Sequence, residues 1–168
     1  GKLAQGQHDV GPGGPGLAEG LQSVSYVSYP PGSISEGDSI EVYNESNGSM
    51  VGAALADRGV DPIAVPASVG DSLRIVILLN GSLAGEETMI VPPDSPPRVV
   101  RTRPGRRQTR VPLNSRMEII FTEPISLATA TTENIRLLEG AQPVSASVSR
   151  SWDGWRVEIT PEQPLQPG

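Results

Sequence analysis

The chain of 168 residues contains no cysteine and only one histidine, His8. The lack of cysteine excludes disulfides, thiolate metal sites and thiol catalysis, but it does not identify the compartment, because many exported proteins also lack cysteine. No apolar run approaches the roughly 20 residues that a membrane-spanning helix needs, so we expect no membrane span. The first ten residues, GKLAQGQHDV, contain no apolar segment of the signal-peptide kind. We therefore expect any export signal to have been removed or to lie outside this sequence.

Glycine and proline are abundant, with 19 and 17 residues. This composition argues against a largely helical protein. The clearest strand pattern lies in Val111–Ile125, where one face carries Met117, Ile119 and Phe121 and the other carries polar residues, Arg116, Glu118 and Thr122. This alternation is typical of a half-buried β-strand, and the sequence predicts an all-β fold.

Six short strands are predicted earlier in the chain: Val24–Tyr29, Ser39–Asn44, Ser49–Asp57, Ile63–Val65, Leu73–Leu79 and Leu83–Val91. The strand Leu73–Leu79 has apolar residues on both faces, so we expect it to be central and covered on both sides. Short strands with turn signals about every 8–12 residues are typical of a β-sandwich.

Charge and composition predict three segments. Residues 1–20 contain GPGGPG and no apolar periodicity, which indicates a flexible arm. Residues 1–93 carry three cationic and eleven acidic side chains, a formal charge of −8, whereas residues 94–168 carry ten and eight, a charge of +2. The proline-rich segment VPPDSPP, residues 91–97, spans the boundary between these two parts and is predicted to be stiff. The predicted organisation is an arm over 1–20, a sandwich over 21–93 and a second sandwich over 94–168.

Residues 96–168 contain, in order, PPRVV, VPLNSRMEIIFTEPI, ENIRLL, PVSASVSRSWDGWRVEITP and PLQPG. In this order the segments resemble the bacterial Ig-like domain of S-layer proteins and other large surface proteins. The resemblance implies two tandem Ig-like β-sandwich domains, with a weaker likeness over residues 21–93, and it implies framework residues rather than catalytic ones.

Domains of that family normally continue after such a Leu-x-Pro-Gly turn into a last strand. The resemblance therefore implies that this last strand is missing from the sequence, which ends at Gly168. An unpaired edge with part of the core uncovered is then expected. Three outcomes follow: the chain is a fragment, the domain is locally unstable, or another subunit donates a strand. The segment Lys2–Val10 has about the length of a short strand and is the candidate donor.

Two Gly-Asp-Ser triplets, with Ser39 and Ser72, have the form of a hydrolase nucleophile motif. A serine nucleophile needs a histidine base, and His8 lies in the predicted arm. Each triplet opens an alternating apolar run, which favours two Gly-Asp turns that begin strands. We therefore predict no enzymatic activity and no cofactor.

Turn residues supply the remaining polar candidates. A calcium site at one end of a sandwich could draw on Asp38, Asp57, Asp61 and Asp71, but no calcium-loop spacing is present, so solvated turn aspartates are predicted. Asn44, Asn47 and Asn80 are glycosylation sequons in form. All three lie at predicted turns, where asparagine is favoured for backbone reasons, and glycosylation depends on a source that permits it.

Seven arginines fall within nineteen residues: Arg98, Arg101, Arg103, Arg106, Arg107, Arg110 and Arg116. The chain is acidic overall, with a pI near 4.8, and no nucleic-acid module fits, so we expect no nucleic-acid partner. Two interpretations remain, a solvated strand face and a contact with an acidic neighbouring surface. The candidate intersubunit residues are Arg103, Arg106, Arg107 and Arg110.

Trp152 and Trp155 flank Asp153-Gly154, a dipeptide that favours a type I′ hairpin turn. The two rings form a candidate ligand platform, although the alternation of Trp155 with Val157 and Ile159 favours a core position for at least one ring.

The sequence thus predicts a non-enzymatic extracellular or cell-surface module that is structural or adhesive, such as a subunit of a surface layer, fibre or large surface protein. Its expected partners are other copies of itself or neighbouring Ig-like domains. Head-to-tail contact between the acidic and arginine-rich halves would propagate as a filament. The alternative is a carbohydrate-binding or accessory module of a secreted enzyme, with a surface glycan as partner.

Overall fold

All regular structure is β in the computed structural model, which describes residues 2–6, 23–93 and 96–166. The all-β fold expected from the sequence is confirmed. The chain divides into two compact units, Gly1–Pro96 and Pro97–Gly168. Across the described ranges, no helix is long and apolar enough to cross a membrane.

The first unit contains seven strands: β1 (Lys2–Gly6), β2 (Val24–Tyr29), β3 (Ser39–Asn44), β4 (Met50–Ala54), β5 (Val60–Pro66), β6 (Ser72–Leu79) and β7 (Ser82–Ile90). They form two antiparallel sheets, of order β1-β2-β5 and β4-β3-β6-β7. Both sheets contribute to one core, so this unit is a β-sandwich. Its largest fully buried apolar side chains are Val27, Ile40, Val42, Val60, Val65, Leu73, Ile75 and Val91.

The central position predicted for β6 is confirmed, because β6 lies between β3 and β7. Leu73 and Ile75 are fully buried in the core, and Val76, whose side chain points to the opposite face, is buried too. A two-residue turn, Asn80-Gly81, joins β6 to β7, and both residues have positive φ angles of 51° and 73°. This is the type I′ pattern that asparagine followed by glycine favours.

The structure differs from the flexible arm expected over residues 1–20. Lys2–Gly6 forms β1 and pairs antiparallel with β2 over five positions, from Lys2 opposite Ser28 to Gly6 opposite Val24. The composition of the segment did not predict this strand, because a segment can pair with the edge of a sheet through its main chain without an alternation of apolar side chains. The rest of the predicted arm, including His8, lies outside the described residues.

The second unit contains six strands: β8 (Val99–Arg103), β9 (Met117–Phe121), β10 (Leu137–Glu139), β11 (Gln142–Val144), β12 (Ala146–Arg150) and β13 (Arg156–Pro161). They form a four-stranded antiparallel sheet of order β12-β13-β9-β8 and a separate hairpin of β10 and β11. Val157 and Ile159 of β13 are buried at the centre of its core. The residues predicted for the inner face of β9, Met117, Ile119 and Phe121, pack against them and are half-buried.

The type I′ turn predicted at Asp153-Gly154 is wrong, because the connection between β12 and β13 is longer than two residues. Five residues, Ser151–Trp155, join the strands, and only Gly154 has a positive φ, of 81°. Asp153 instead accepts hydrogen bonds through Oδ1, from the Ser151 hydroxyl at 2.5 Å and from the Trp155 backbone N–H at 3.2 Å. The side-chain bonds hold a wider loop than the dipeptide alone predicts, because aspartate can bond its own neighbouring backbone.

Candidate functional site

Both Gly-Asp-Ser triplets are strand-opening turns. Asp38 accepts the Asn80 backbone N–H at 2.6 Å and the Ser39 hydroxyl at 2.8 Å. These two bonds hold the pKa of Asp38 below its usual range, the Asn80 N–H contributing most. The Ser39 hydroxyl thus donates to a turn aspartate, and no histidine lies among the described residues. The geometry here is that of a turn and not of an activated nucleophile.

Asp71 of the second triplet has the same role. Its Oδ2 accepts the Ser68 backbone N–H at 3.0 Å and the Asn44 side-chain N–H at 2.8 Å, and these bonds lower the pKa of Asp71. Asp57 lies in a tight turn with a φ of 53°. Among the residues that the structure describes, no cluster of three histidine, aspartate or glutamate side chains could hold a metal ion.

The three sequon asparagines have different surroundings. Asn44 is buried, and its side-chain nitrogen donates to Pro66 O at 2.9 Å as well as to Asp71. Because that nitrogen is the atom a glycan would modify, Asn44 is a structural residue here. Asn47 is exposed but also donates to Pro66 O, at 2.9 Å, and Asn80 occupies the β6–β7 turn.

The seven-arginine segment is divided by the fold. Arg101 is buried in β8, at 4% exposure. Arg103 contacts Glu118 at 2.6 Å and Arg116 contacts Glu158 at 3.0 Å, so two members face glutamates on neighbouring strands of their own sheet. Arg156 also approaches Glu118, at 3.4 Å. These pairs fit the solvated strand face that was one of the two interpretations.

Four members of the segment remain: Arg98 is exposed directly before β8, and the other three lie in the loop between β8 and β9. Arg106, Arg107 and Arg110, here called the arginine loop, are exposed. Within the described ranges their side chains make no hydrogen bond or ion pair, and Arg107 and Arg110 have positive φ angles of 64° and 59°. Positive φ is unfavourable for a residue with a side chain, and such backbone geometry is found disproportionately at functional sites. The loop therefore presents three adjacent positive charges with no counter-charge in the described part of the chain.

The first unit presents the opposite charge. Six of its acidic side chains are exposed, on turns and on β7: Glu36, Asp38, Glu45, Asp57, Glu86 and Glu87. Within the described residues Glu45 is neutralised by Arg74, at 2.6 Å. The described residues of this unit therefore present an acidic surface.

The two tryptophans do not form a matched pair. Trp152 is 93% exposed in the β12–β13 loop, whereas Trp155, the last residue of that loop, is half-buried. An indole that is almost fully exposed is unusual, because tryptophan is highly buried on average. Trp152 is a candidate contact residue on its own.

An open apolar groove of about 390 Å³ lies on the second unit beside β9 and β13. Met117, Ile119 and Ile159 form its floor from the inner face of the sheet, and Val111, Pro112 and Leu165 line its sides. Leu165 is held there by its backbone N–H, which donates to Leu113 O at 2.8 Å. Part of the inner face is thus reached from solvent, which explains why Met117 and Ile119 are only half-buried.

The sequence of the second unit also matches a protein-family model. Residues 93–168 match the family model of the bacterial Ig-like domain, which covers the strands β8 to β13. No curated protein and no solved structure matches the chain. Bacterial Ig-like domains occur in bacterial surface proteins and are generally non-catalytic. The family model that matches residues 93–168 is thus the one that the order of their segments resembles, as the sequence predicted.

Proposed function

We propose that this protein is a non-enzymatic structural or adhesive module of the bacterial cell surface, part of a surface layer, a fibre or a large surface protein. The arginine loop is the observation that carries the proposal. These three exposed arginines have no partner among the described residues, and they lie in a segment that matches a family found in surface proteins, so they suit contact with an acidic protein surface.

The acidic partner proposed is the first unit of a second copy. That half of the chain carries a formal charge of −8, and six of its described carboxylates are exposed. A contact between the arginine loop of one copy and the first unit of the next is heterologous, so it extends into a filament unless the rotation closes a ring.

The experiment measures the sedimentation of the full chain at low and high salt. Assembly is expected at low salt and should weaken as salt is added, because exposed charges are screened. Replacing Arg106, Arg107 and Arg110 by serine should abolish it. The control replaces Arg98, Arg136 and Arg156 by serine, which removes the same charge from exposed positions outside the β8–β9 loop. A protein that is monomeric at low salt, or loop and control variants that assemble equally, would refute the proposal.

Trp152 favours a second candidate, the binding of a surface glycan. A sugar ring stacks on an exposed indole, and Trp152 presents nearly all of its side-chain surface. Co-sedimentation with purified peptidoglycan sacculi tests this candidate. Binding should be lost in Trp152→Ala and kept in Trp155→Phe, and equal binding by wild type and Trp152→Ala would exclude the platform.

A further inference from the structure

The strand β1 is an edge strand that is joined to its partner by an unusually long connection. Among the described strands it pairs with β2 alone, on the outside of the β1-β2-β5 sheet. Seventeen residues, 7–23, separate β1 from β2, whereas two residues join β6 to β7 and two join β10 to β11. Most hairpin connections are 2–5 residues long. A short turn forces a strand to pair within its own chain, but seventeen residues span up to roughly 60 Å and impose no such restriction.

The two strands of this pair contrast in composition. β1 has the sequence KLAQG, which contains no β-branched and no aromatic residue. β2 has the sequence VSYVSY, and five of its six residues are buried. Lysine, alanine and glycine are depleted in strands, whereas valine and tyrosine are enriched. β1 is therefore a weak strand held on a strong acceptor by its main-chain hydrogen bonds.

We infer that β1 is exchangeable, so that Lys2–Gly6 of one copy pairs with β2 of a second copy in the register that it adopts within one chain. Each copy carries one donor strand and one acceptor edge, and every main-chain bond lost on release is regained on the partner. This interaction is separate from the arginine-loop contact, because it depends on backbone hydrogen bonds of the first unit.

Concentration decides which pairing is populated. A strand tethered to its own acceptor has an effective concentration on the order of millimolar, so pairing within one chain dominates in dilute solution. Exchange competes when the copies themselves approach that concentration, as they do in a packed array. The inference therefore predicts exchange that increases steeply with protein concentration.

Engineered cysteines can distinguish the two pairings, because the chain has no cysteine of its own. Gln5 lies opposite Ser25 in the register, so cysteines at these positions are placed for a disulfide. In the full chain, Gln5→Cys with Ser25→Cys should close an internal disulfide. When the two single variants are mixed near millimolar concentration and oxidised, exchange should produce a covalent heterodimer.

The matched control replaces Gln5→Cys by Ala4→Cys, since Ala4 lies opposite Tyr26 in the register and not opposite Ser25. All mixtures are run at high salt, which screens the arginine-loop contact but not backbone pairing. A heterodimer that forms with Gln5→Cys and not with Ala4→Cys supports exchange. The inference is overturned if the mixture gives no more heterodimer than the control, or if the double variant forms no internal disulfide.

Discussion

The hydroxyl of Tyr29 on β2 donates a hydrogen bond to a carboxylate oxygen of Glu87 on β7. These strands belong to different sheets of the first unit, so the bond joins the two layers of the sandwich. Tyr29 is buried at 3% exposure, while Glu87 lies on an exposed edge strand. A buried donor bonded to a charged acceptor is the kind of hydrogen bond that contributes most to stability.

The first prediction removes this bond. Tyr29→Phe keeps the ring and should lower the free energy of unfolding by about 1–2 kcal/mol, because Glu87 recovers water when its partner is lost. Urea unfolding followed by circular dichroism measures the loss. The control is Tyr43→Phe, whose hydroxyl bonds Glu41 at 2.5 Å along one strand, near the surface. A loss in Tyr29→Phe no larger than that in the control would show that the inter-sheet bond adds nothing.

A second prediction concerns alkaline pH. Burial, followed by the hydrogen bond to Glu87, raises the pKa of Tyr29 above the usual tyrosine value of 10.0. The folded state therefore holds the phenol proton after the unfolded state has released it, so stability is fully present below pH 10 and falls as pH rises further. The melting temperature of the wild type should fall more between pH 9 and 11 than that of Tyr29→Phe. If the melting temperatures of the wild type and of Tyr29→Phe fall in parallel over this pH range, the raised pKa of Tyr29 is contradicted.

Most strands of the structure could be predicted from the sequence, because their patterns depend on local chemistry. Strand β3 buries alternate side chains in one core, so its period-2 pattern is visible in the residues themselves. The turn at Asn80-Gly81 could also be predicted from the sequence, because few residue pairs tolerate two positive φ angles. Local chemistry dictates these features.

The features that the sequence could not show depend on distant partners. β1 forms because β2 offers an edge, and nothing in KLAQG encodes that edge. The arginine segment looks uniform in sequence, yet Glu118 and Glu158 pair with two of its members, while the arginine loop has no counter-charge in the part of the chain that the structure describes. Charge patterning alone does not tell a paired arginine from a free one, because the pairing depends on strand register.

A third prediction tests the close packing around Gly154. A methyl group added there would lie 2.6 Å from Arg150 Nη1 and 3.0 Å from the Cβ of Pro124, and the φ of 81° is already unfavourable for alanine. Arg150 Nη1 also donates to Ile125 O at 2.9 Å, so its displacement costs a further hydrogen bond. Gly154→Ala should destabilise the second unit by about 2–4 kcal/mol, measured by tryptophan fluorescence in urea.

Gly140→Ala is the matched control for that measurement. Its φ is 61°, but no atom lies within 4 Å of the added methyl group, so only the backbone term of about 1–2 kcal/mol applies. Equal losses in the two variants would mean that the contacts with Arg150 and Pro124 relax without cost.

The last prediction compares one substitution at two positions of the first unit. Leu73 on β6 is fully buried in the shared core, and Leu83 on β7 is 64% exposed. Leu73→Ala removes buried methyl groups and leaves a cavity between the two sheets, so it should cost about 3–5 kcal/mol, whereas Leu83→Ala should change stability by less than about 0.5 kcal/mol. All three tyrosines lie in residues 26–43 and both tryptophans lie in the second unit, so tyrosine circular dichroism reports the first unit during unfolding. If Leu83→Ala lowers the unfolding midpoint as far as Leu73→Ala does, the core is not shared by the two sheets as described.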